Sequence, residues 1–360
     1  MTLRIFPAFA LAAALAHPAA AEVDFASMPK VDAHVHLYGE MPVFLRRMEA
    51  DGFRVLTINV NYRDFPPLAE QERDAAALHR AHGDRFAFAA SFDASNSAAP
   101  GWLVGVQHGL DAAFAEGAAA VKIWKDVGMQ QRDPDGRAVM IDDPRFDPLL
   151  DWLEKRGIPV LGHQGEPRNA WLPLEEMTIR GDREYFTEHP QYHMAGRKEW
   201  PSYEEQIAAR DRMLDKHPGL TFVGVHLASL EWNVDRIADF LRRYPKASVD
   251  LAARMPHLEL QASRDREKVR RFFVEFQDRI LYGSDLGRSR GQSDEEFADE
   301  AHAAWLADWQ FLAGSVVLDS TEFDAPFRGL ALPRDVLAKV YAGNAERLFP
   351  KAWSAPAAIP

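Results

Sequence analysis

The chain contains no cysteine, so disulfides, thiolate metal sites and cysteine nucleophiles are all excluded. Apart from the N-terminus it has no long uncharged run, and none reaches the roughly 20 residues that would cross a bilayer, so no membrane anchor is expected. Positive charge is scarce: 42 Lys and Arg stand against 54 Asp and Glu, a formal net charge of −12 that is spread rather than blocked. That sign disfavours nucleic acid and anionic membranes as partners. Also missing are a Gly-rich phosphate loop, a His-Glu-x-x-His helix, an internal repeat and any low-complexity tract. Gly287-Arg-Ser289-Arg-Gly291 does spell Gly-x-Ser-x-Gly. A nucleophile elbow needs an acid and then a histidine downstream, however, and the one later histidine, His302, lies in an acidic helical stretch. Chance explains that match.

The N-terminus reads Met1-Thr-Leu-Arg4, then an uncharged stretch from Ile5 to Ala16, then Ala19-Ala20-Ala21 before Glu22. A basic start, an apolar centre and small residues before a cut are the pattern of a cleavable secretory signal. Residues 1 to 21 are therefore set aside as a leader, and the expected destination is the periplasm or the exterior. The remaining 339 residues exceed the roughly 250 of an eight-fold barrel but stay within the range reached by long loops. They read as one domain, residues 22 to 360.

Short apolar runs alternate with amphipathic stretches along that domain. Strands are expected at 31–37, 54–60, 86–92, 119–125, 159–165, 221–227, 247–254 and 280–286. Helices are expected at Leu68 to His82, Trp102 to Glu116, Phe146 to Arg156, Tyr203 to Lys216, Val234 to Tyr244, Arg264 to Asp278 and Pro333 to Phe349. This alternation predicts βα units around a parallel sheet, an α/β fold. Two segments break the rhythm, 166–202 and 287–332, and both read as long loops at the end of the sheet where sites are built. The first carries Trp171, Tyr185, Phe186, Tyr192 and Trp200, a density of rings suited to covering an organic substrate.

Several of the apolar runs end in a polar residue that a buried strand does not need. They are Val31-Asp-Ala-His34-Val-His36, Val160-Leu-Gly-His163, Phe222-Val-Gly-Val-His226 and Ile280-Leu-Tyr-Gly-Ser-Asp285. His34 and His36, two apart on a strand, leave the same face about 6.6 Å apart at Cα and can share one cation. An isolated His-x-His is most often two exposed strand-end histidines, His163 and His226 could each be a satisfied buried histidine, and Asp285 could cap a turn. Five such residues at the same end of separate strands point instead to a shared metal ion. Asp32, beside the pair, is expected to face away and be structural.

These segments, with Gly283-Ser-Asp285 and the closing Tyr341-Ala-Gly-Asn344-Ala-Glu-Arg-Leu-Phe349, resemble the metal-dependent amidohydrolase superfamily, in the amidohydrolase-related branch (amidohydrolase family 2). The resemblance covers essentially the whole mature chain and is specific for fold and metal, not for substrate. It implies a distorted TIM (β/α)8 barrel with long loops after strands 5 and 8. His34 and His36 would lie on the first strand, His163 on the fifth, His226 on the sixth and Asp285 on the eighth. It also implies a divalent metal, with zinc expected for imidazoles and one carboxylate and manganese or iron fitting similar ligands. Members with two metals carry a lysine that becomes a bridging carbamate; Lys122 in Ala119-Ala-Val-Lys122-Ile-Trp-Lys125 matches it, and one or two ions per chain both stay open. Lys125, of opposite parity, is expected in solvent. Members of the branch are often homo-oligomers.

The expected activity is hydrolysis of an amide, lactone or ester bond in a small organic molecule by metal-activated water, with Asp285 as ligand and base. His226 would polarise the substrate carbonyl if one ion is present and be a ligand if two are. The alternative at the same site is non-oxidative decarboxylation or another lyase reaction of a carboxylated molecule. A metal-binding protein that has lost catalysis is a third reading, disfavoured because no expected ligand is missing. Arg254, closing Ser248-Val-Asp-Leu-Ala-Ala-Arg254, would bind a substrate carboxylate, or else pair with Asp250 or Asp285 or be a charge on the rim. Glu166 is either support for a ligand or a loop acid, and Trp171 is the expected substrate-covering ring.

Overall fold

The computed structural model describes residues 25–62, 65–289 and 291–353. The expected leader, residues 1 to 21, lies outside them. Eight βα repeats unfold along the chain. The first four are β1 (Lys30–His36) with α1 (Pro42–Ala50), β2 (Phe53–Ile58) with α2 (Leu68–His82), β3 (Phe86–Ser91) with α3 (Trp102–Ala115), and β4 (Ala120–Ile123) with α4 (Asp147–Arg156). Next come β5 (Val160–Gly162) with α5 (Arg180–Glu188) and α6 (Tyr203–Lys216), β6 (Phe222–Gly224) with α7 (Val234–Arg243), and β7 (Ala247–Asp250) with α8 (Met255–Glu275). The last strand is interrupted, as β8 (Ile280–Leu281) and β9 (Leu286–Gly287), before α9 (Asp294–Ala313).

Every ladder among these nine segments is parallel, in the order β8-β7-β6-β5-β4-β3-β2-β1-β9. Because β8 and β9 are consecutive pieces of one stave, the order describes a closed ring. Ile280 and Leu281 pair with β7, while Leu286 and Gly287 pair with Val35 and His36 of β1. Between them Asp285 donates its amide to the His34 carbonyl at 2.8 Å, with a left-handed φ of 69°. The result is a distorted TIM barrel, as the resemblance implies.

Period-two alternation sorts the strand residues. Val31, Ala33, Leu56, Ala87, Leu161 and Val223 share one buried cluster inside the barrel, whereas Val35, Val55, Phe86, Val160, Phe222 and Val249 pack outward on the helices. The β1–β2 register slips between Asp32 and Val35. That slip turns Asp32 outward, where Trp305 Nε1 of α9 donates to it at 2.8 Å, and turns His34 inward. Asp32 thus faces away from the histidines as expected.

Several boundaries differ from the sequence reading: the seventh strand ends at Asp250, the last is split in two, and the closing helix is π-helical over Lys339–Gly343. Strands β5 and β6 stop after three residues, so His163 and His226 lie just beyond the strand ends. The helix expected at Arg264 begins at Met255, and its backbone breaks at Asp265, φ −151°. Segment 287–332 is not one loop: it contains the 20-residue α9, opened by a capping box between Ser293 and Glu296. No described helix is long and apolar enough to cross a membrane.

Candidate metal centre

His34 is wholly buried inside the barrel and faces a carboxylate on each edge. Its Nδ1 lies 2.7 Å from Asp250 Oδ2, and its Nε2 lies 3.2 Å from Asp285 Oδ1. His36 Nδ1 donates to the Ile58 carbonyl at 2.8 Å, and its Nε2 also lies 3.2 Å from Asp285 Oδ1. His226 sits with its ring centre 4.8 Å from that of His34 and 4.3 Å from that of His163. The His226 Nδ1 donates to the Ala252 carbonyl at 2.9 Å. In all three rings Nδ1 faces an acceptor, so the second nitrogen, Nε2, is the one left for other chemistry. Buried His163 Nε2 has no hydrogen-bond partner, and Glu166 Oε2 stands 3.6 Å from it.

The backbone that carries His226 is strained. His226, Leu227, Ala228 and Ser229 all take left-handed φ values, from 54° to 58°. For residues with a β-carbon that conformation costs roughly 1–2 kcal/mol each, so the turn must be held from outside. Asp250 Oδ1 accepts the His226 amide at 2.6 Å, Arg210 and Tyr203 donate to the Ala228 and Ser229 carbonyls, and Ser229 Oγ donates to Gly165 at 2.7 Å.

Burial sets the charges. Desolvation, aided by Lys122, lowers the His34 pKa, and desolvation drives His163 and His226 well below the ordinary histidine value. The imidazoles are therefore neutral at pH 7, as a metal requires. Burial alone would raise the Asp285 carboxyl, but the surrounding histidines, His226 and His34 through their charge and His36 through a hydrogen bond whenever these rings are protonated, hold it well below the usual carboxylate range. Lys122 extends from β4 into the same space, its Nζ 3.4 Å from His34 Nε2, and burial lowers its pKa to about 8.

Among the described residues, two groups bring three ligand-type atoms within 4.8 Å of one another: His34, His36 and Asp285, and His34, His226 and Asp250. In a tetrahedral zinc site with bonds near 2.1 Å the ligand atoms stand about 3.4 Å apart. The two 3.2 Å separations to Asp285 Oδ1 fit that edge. Asp250, by contrast, already spends both oxygens on His34 and on the His226 amide.

The match of the amidohydrolase family model spans residues 31–351. The chain belongs to the amidohydrolase family. No protein of curated function matches its sequence. Among solved structures it is similar to an uncharacterised TIM-barrel protein, Bb4693, from Bordetella bronchiseptica, at 17% identity and TM-score 0.54 over 91% of this chain and 100% of that one. It is also similar to 2,6-dihydroxybenzoate decarboxylase from Rhizobium, at 16% and 0.50 over 90% and 99%. Dihydroorotase from Saccharomyces cerevisiae, in complex with 5-fluoroorotic acid, gives 13% and 0.50 over 91% and 86%. At these identities the likeness is one of fold.

For this amidohydrolase the outer residues fall differently from the sequence reading. Lys125 is not in solvent: β4 ends at Ile123, strand parity no longer applies, and Lys125 is buried in an ion pair with Glu166. Its Nζ also donates to Tyr185 Oη at 3.0 Å and lies 4.1 Å from the centre of the Tyr192 ring. Glu166 is thus a buried acid shared between Lys125 and His163. Arg254 pairs with neither Asp250 nor Asp285; its nearest acid is Asp182, at 3.9 Å, and its Nε has no partner. Trp171 donates to the Pro201 carbonyl at 3.2 Å and packs edge-on against Tyr203, outside the histidine cluster. Ser289 of the Gly-x-Ser-x-Gly segment has no histidine, since His302 is bonded to Asp51 at 2.7 Å. The residue the sequence reading undervalued is Asp250, which it treats only as a possible partner of Arg254. Asp250 carries the same signal as the histidines, a polar group closing an apolar run.

Proposed function

We propose that this amidohydrolase holds a divalent cation, zinc being the expected occupant, between His34, His36 and Asp285, and hydrolyses an amide, lactone or ester bond of a small organic molecule. The observation that carries the reading is the pair of Nε2 atoms 3.2 Å from one Asp285 oxygen, both rings having Nδ1 turned to an acceptor. Two lone pairs and a carboxylate oxygen at that spacing repel one another unless a cation sits among them. When bound, the ion would lower the pKa of water towards ~7 and polarise a carbonyl.

The chain's own groups then divide the work. Asp285, kept ionised, takes the proton from the attacking water on the oxygen that does not face the histidines and returns it to the leaving group. His226, neutral with its Nδ1 proton committed to Ala252, offers a lone pair rather than a proton at Nε2, which supports a ligand role over carbonyl polarisation. The orphaned Nε2 of His163 suits the same role. Lys122, with a pKa near 8, has enough free amine to add carbon dioxide, Lys-NH2 giving Lys-NH-COO⁻ and a proton, and its place beside His34 suits a carbamate that would bridge two ions. Arg254, buried with an unpartnered Nε, is the group to meet an anionic end of the substrate.

The test begins with elemental analysis of protein purified without added metal or chelator, beside a His34→Ala/His36→Ala variant. One or two equivalents of zinc, manganese or iron, lost in the variant, are expected; a metal-free protein that metal does not restore would sink the reading. Turnover of ester, lactone, amide and carboxylate panels in ¹⁸O water then separates the chemistries. Label in the product acid marks hydrolysis, whereas carbon dioxide release without label marks the decarboxylase alternative. Asp285→Asn is expected to abolish turnover while the circular dichroism spectrum stays unchanged, and retained activity would refute the role given to Asp285.

A further inference from the structure

Asp250 ends β7 and is 2% exposed, yet each of its oxygens has a different task. Oδ2 accepts from His34 Nδ1 at 2.7 Å. Oδ1 accepts the backbone amide of His226 at 2.6 Å and that of Ala252 at 3.3 Å. Ala252 in turn presents its carbonyl to His226 Nδ1 at 2.9 Å. One carboxylate therefore reaches the side chain of one histidine and the main chain of another, and through Ala252 it touches the second ring as well.

We propose that Asp250 is a positioning residue that couples two imidazoles, fixing His34 as its Nδ1–H tautomer and pinning the left-handed turn at His226, so that both Nε2 lone pairs meet at one point. The inference rests on the metal reading above, but concerns how the apoprotein is prepared for the ion. A carboxylate can only accept, so it leaves His34 one tautomer, with the proton on Nδ1 and the lone pair on Nε2. The same accepting character is needed at the amides of His226 and Ala252, where four consecutive left-handed residues would otherwise relax. An uncharged hydrogen-bonding group of the same shape meets only one of these demands.

Asp250→Asn separates them. Its amide oxygen must stay on the two backbone N–H groups, which places its NH2 against His34 Nδ1. His34 is then forced to accept there and to carry its proton on Nε2, facing the cation. The expected result is a switched His34 tautomer in the ¹⁵N-histidine NMR spectrum of the metal-free protein. With it, zinc affinity in a competition titration should weaken roughly 10–100-fold, while the melting temperature of the metal-free form stays close to that of the parent. Asp250→Ala should lose the turn clamp as well, so that its melting temperature falls along with its affinity. A merely structural Asp250 would lower stability without moving the tautomer. The proposal is overturned if Asp250→Asn keeps the Nδ1–H form and binds zinc within about threefold of the parent. Should that variant not fold, the parent spectrum decides: His34 found as Nε2–H in the metal-free protein overturns it equally. A parent that binds no zinc would defeat the metal reading instead, and leaves the tautomer measurement standing.

Discussion

Gly283 shows how tightly the site is fitted at the level of single atoms. A β-carbon there would lie 2.9 Å from His34 Cβ, closer than real Cβ contacts come. Gly283→Ala should therefore push His34 off Asp250 and Asp285, costing about 1–3 kcal/mol of stability and much of the metal affinity, as a thermal melt and a zinc titration would report. The glycine was legible in the sequence only as part of the Gly-Ser-Asp segment; its reason lies across the barrel seam and needed the fold. The four histidines and Asp285 were legible because a polar side chain closing a buried apolar run requires a cause. Lys125 was misread because parity arguments end where the strand does. Trp171 was assigned to the substrate from ring density, and its half-buried ring packs on Tyr203.

Elements were legible where the amphipathic period is clear: α2 and α6 span Leu68–His82 and Tyr203–Lys216 as expected. The break at Asp265 explains why the second half of α8 reads as a helix of its own. Helix α9, hidden in a presumed loop, covers the barrel wall and brings Asp308 beside Tyr282, whose hydroxyl donates to it at 2.7 Å. Burial raises the Asp308 pKa to about 7, and that of Glu259 on α8 to about 8 with Asp308 adding to the effect. Folded-state values above the unfolded ones mean that this stabilisation is complete below about pH 4, the unfolded carboxyl value, and is lost as pH rises through 7 and 8. Asp308→Asn keeps an acceptor for Tyr282 and removes the charge. It should be more stable than the parent by on the order of 4 kcal/mol at pH 8.5 and lose that advantage near pH 4, in denaturant titrations at the two pH values.

At the scale of the molecule, metal and fold should be linked. If the ion binds only the native state, a free concentration a hundredfold above its Kd adds about 2.7 kcal/mol, so chelation should lower the melting temperature by roughly 4 °C, and re-addition of zinc should restore it. The export reading makes its own forecast: mass spectrometry of the protein from its native host should find Glu22 at the N-terminus, and an intact Met1 would refute it. Alternation along the chain revealed the βα units and the family resemblance implied the barrel, whereas the way the ring closes was not legible, because Tyr282-Gly-Ser-Asp285 reads as the continuation of a strand rather than as a gap. That gap has a kinetic meaning. His36 and Asp285 stand 249 residues apart in the chain, yet they flank the seam between the first stave and the last. A cation gripped by both, as proposed above, would be a rivet through that seam, one that could not be set until ribosomal synthesis had passed Asp285. Metal loading would then report that the hoop is closed, and an abortive chain ending short of β9 would leave synthesis without the ion that marks a finished barrel.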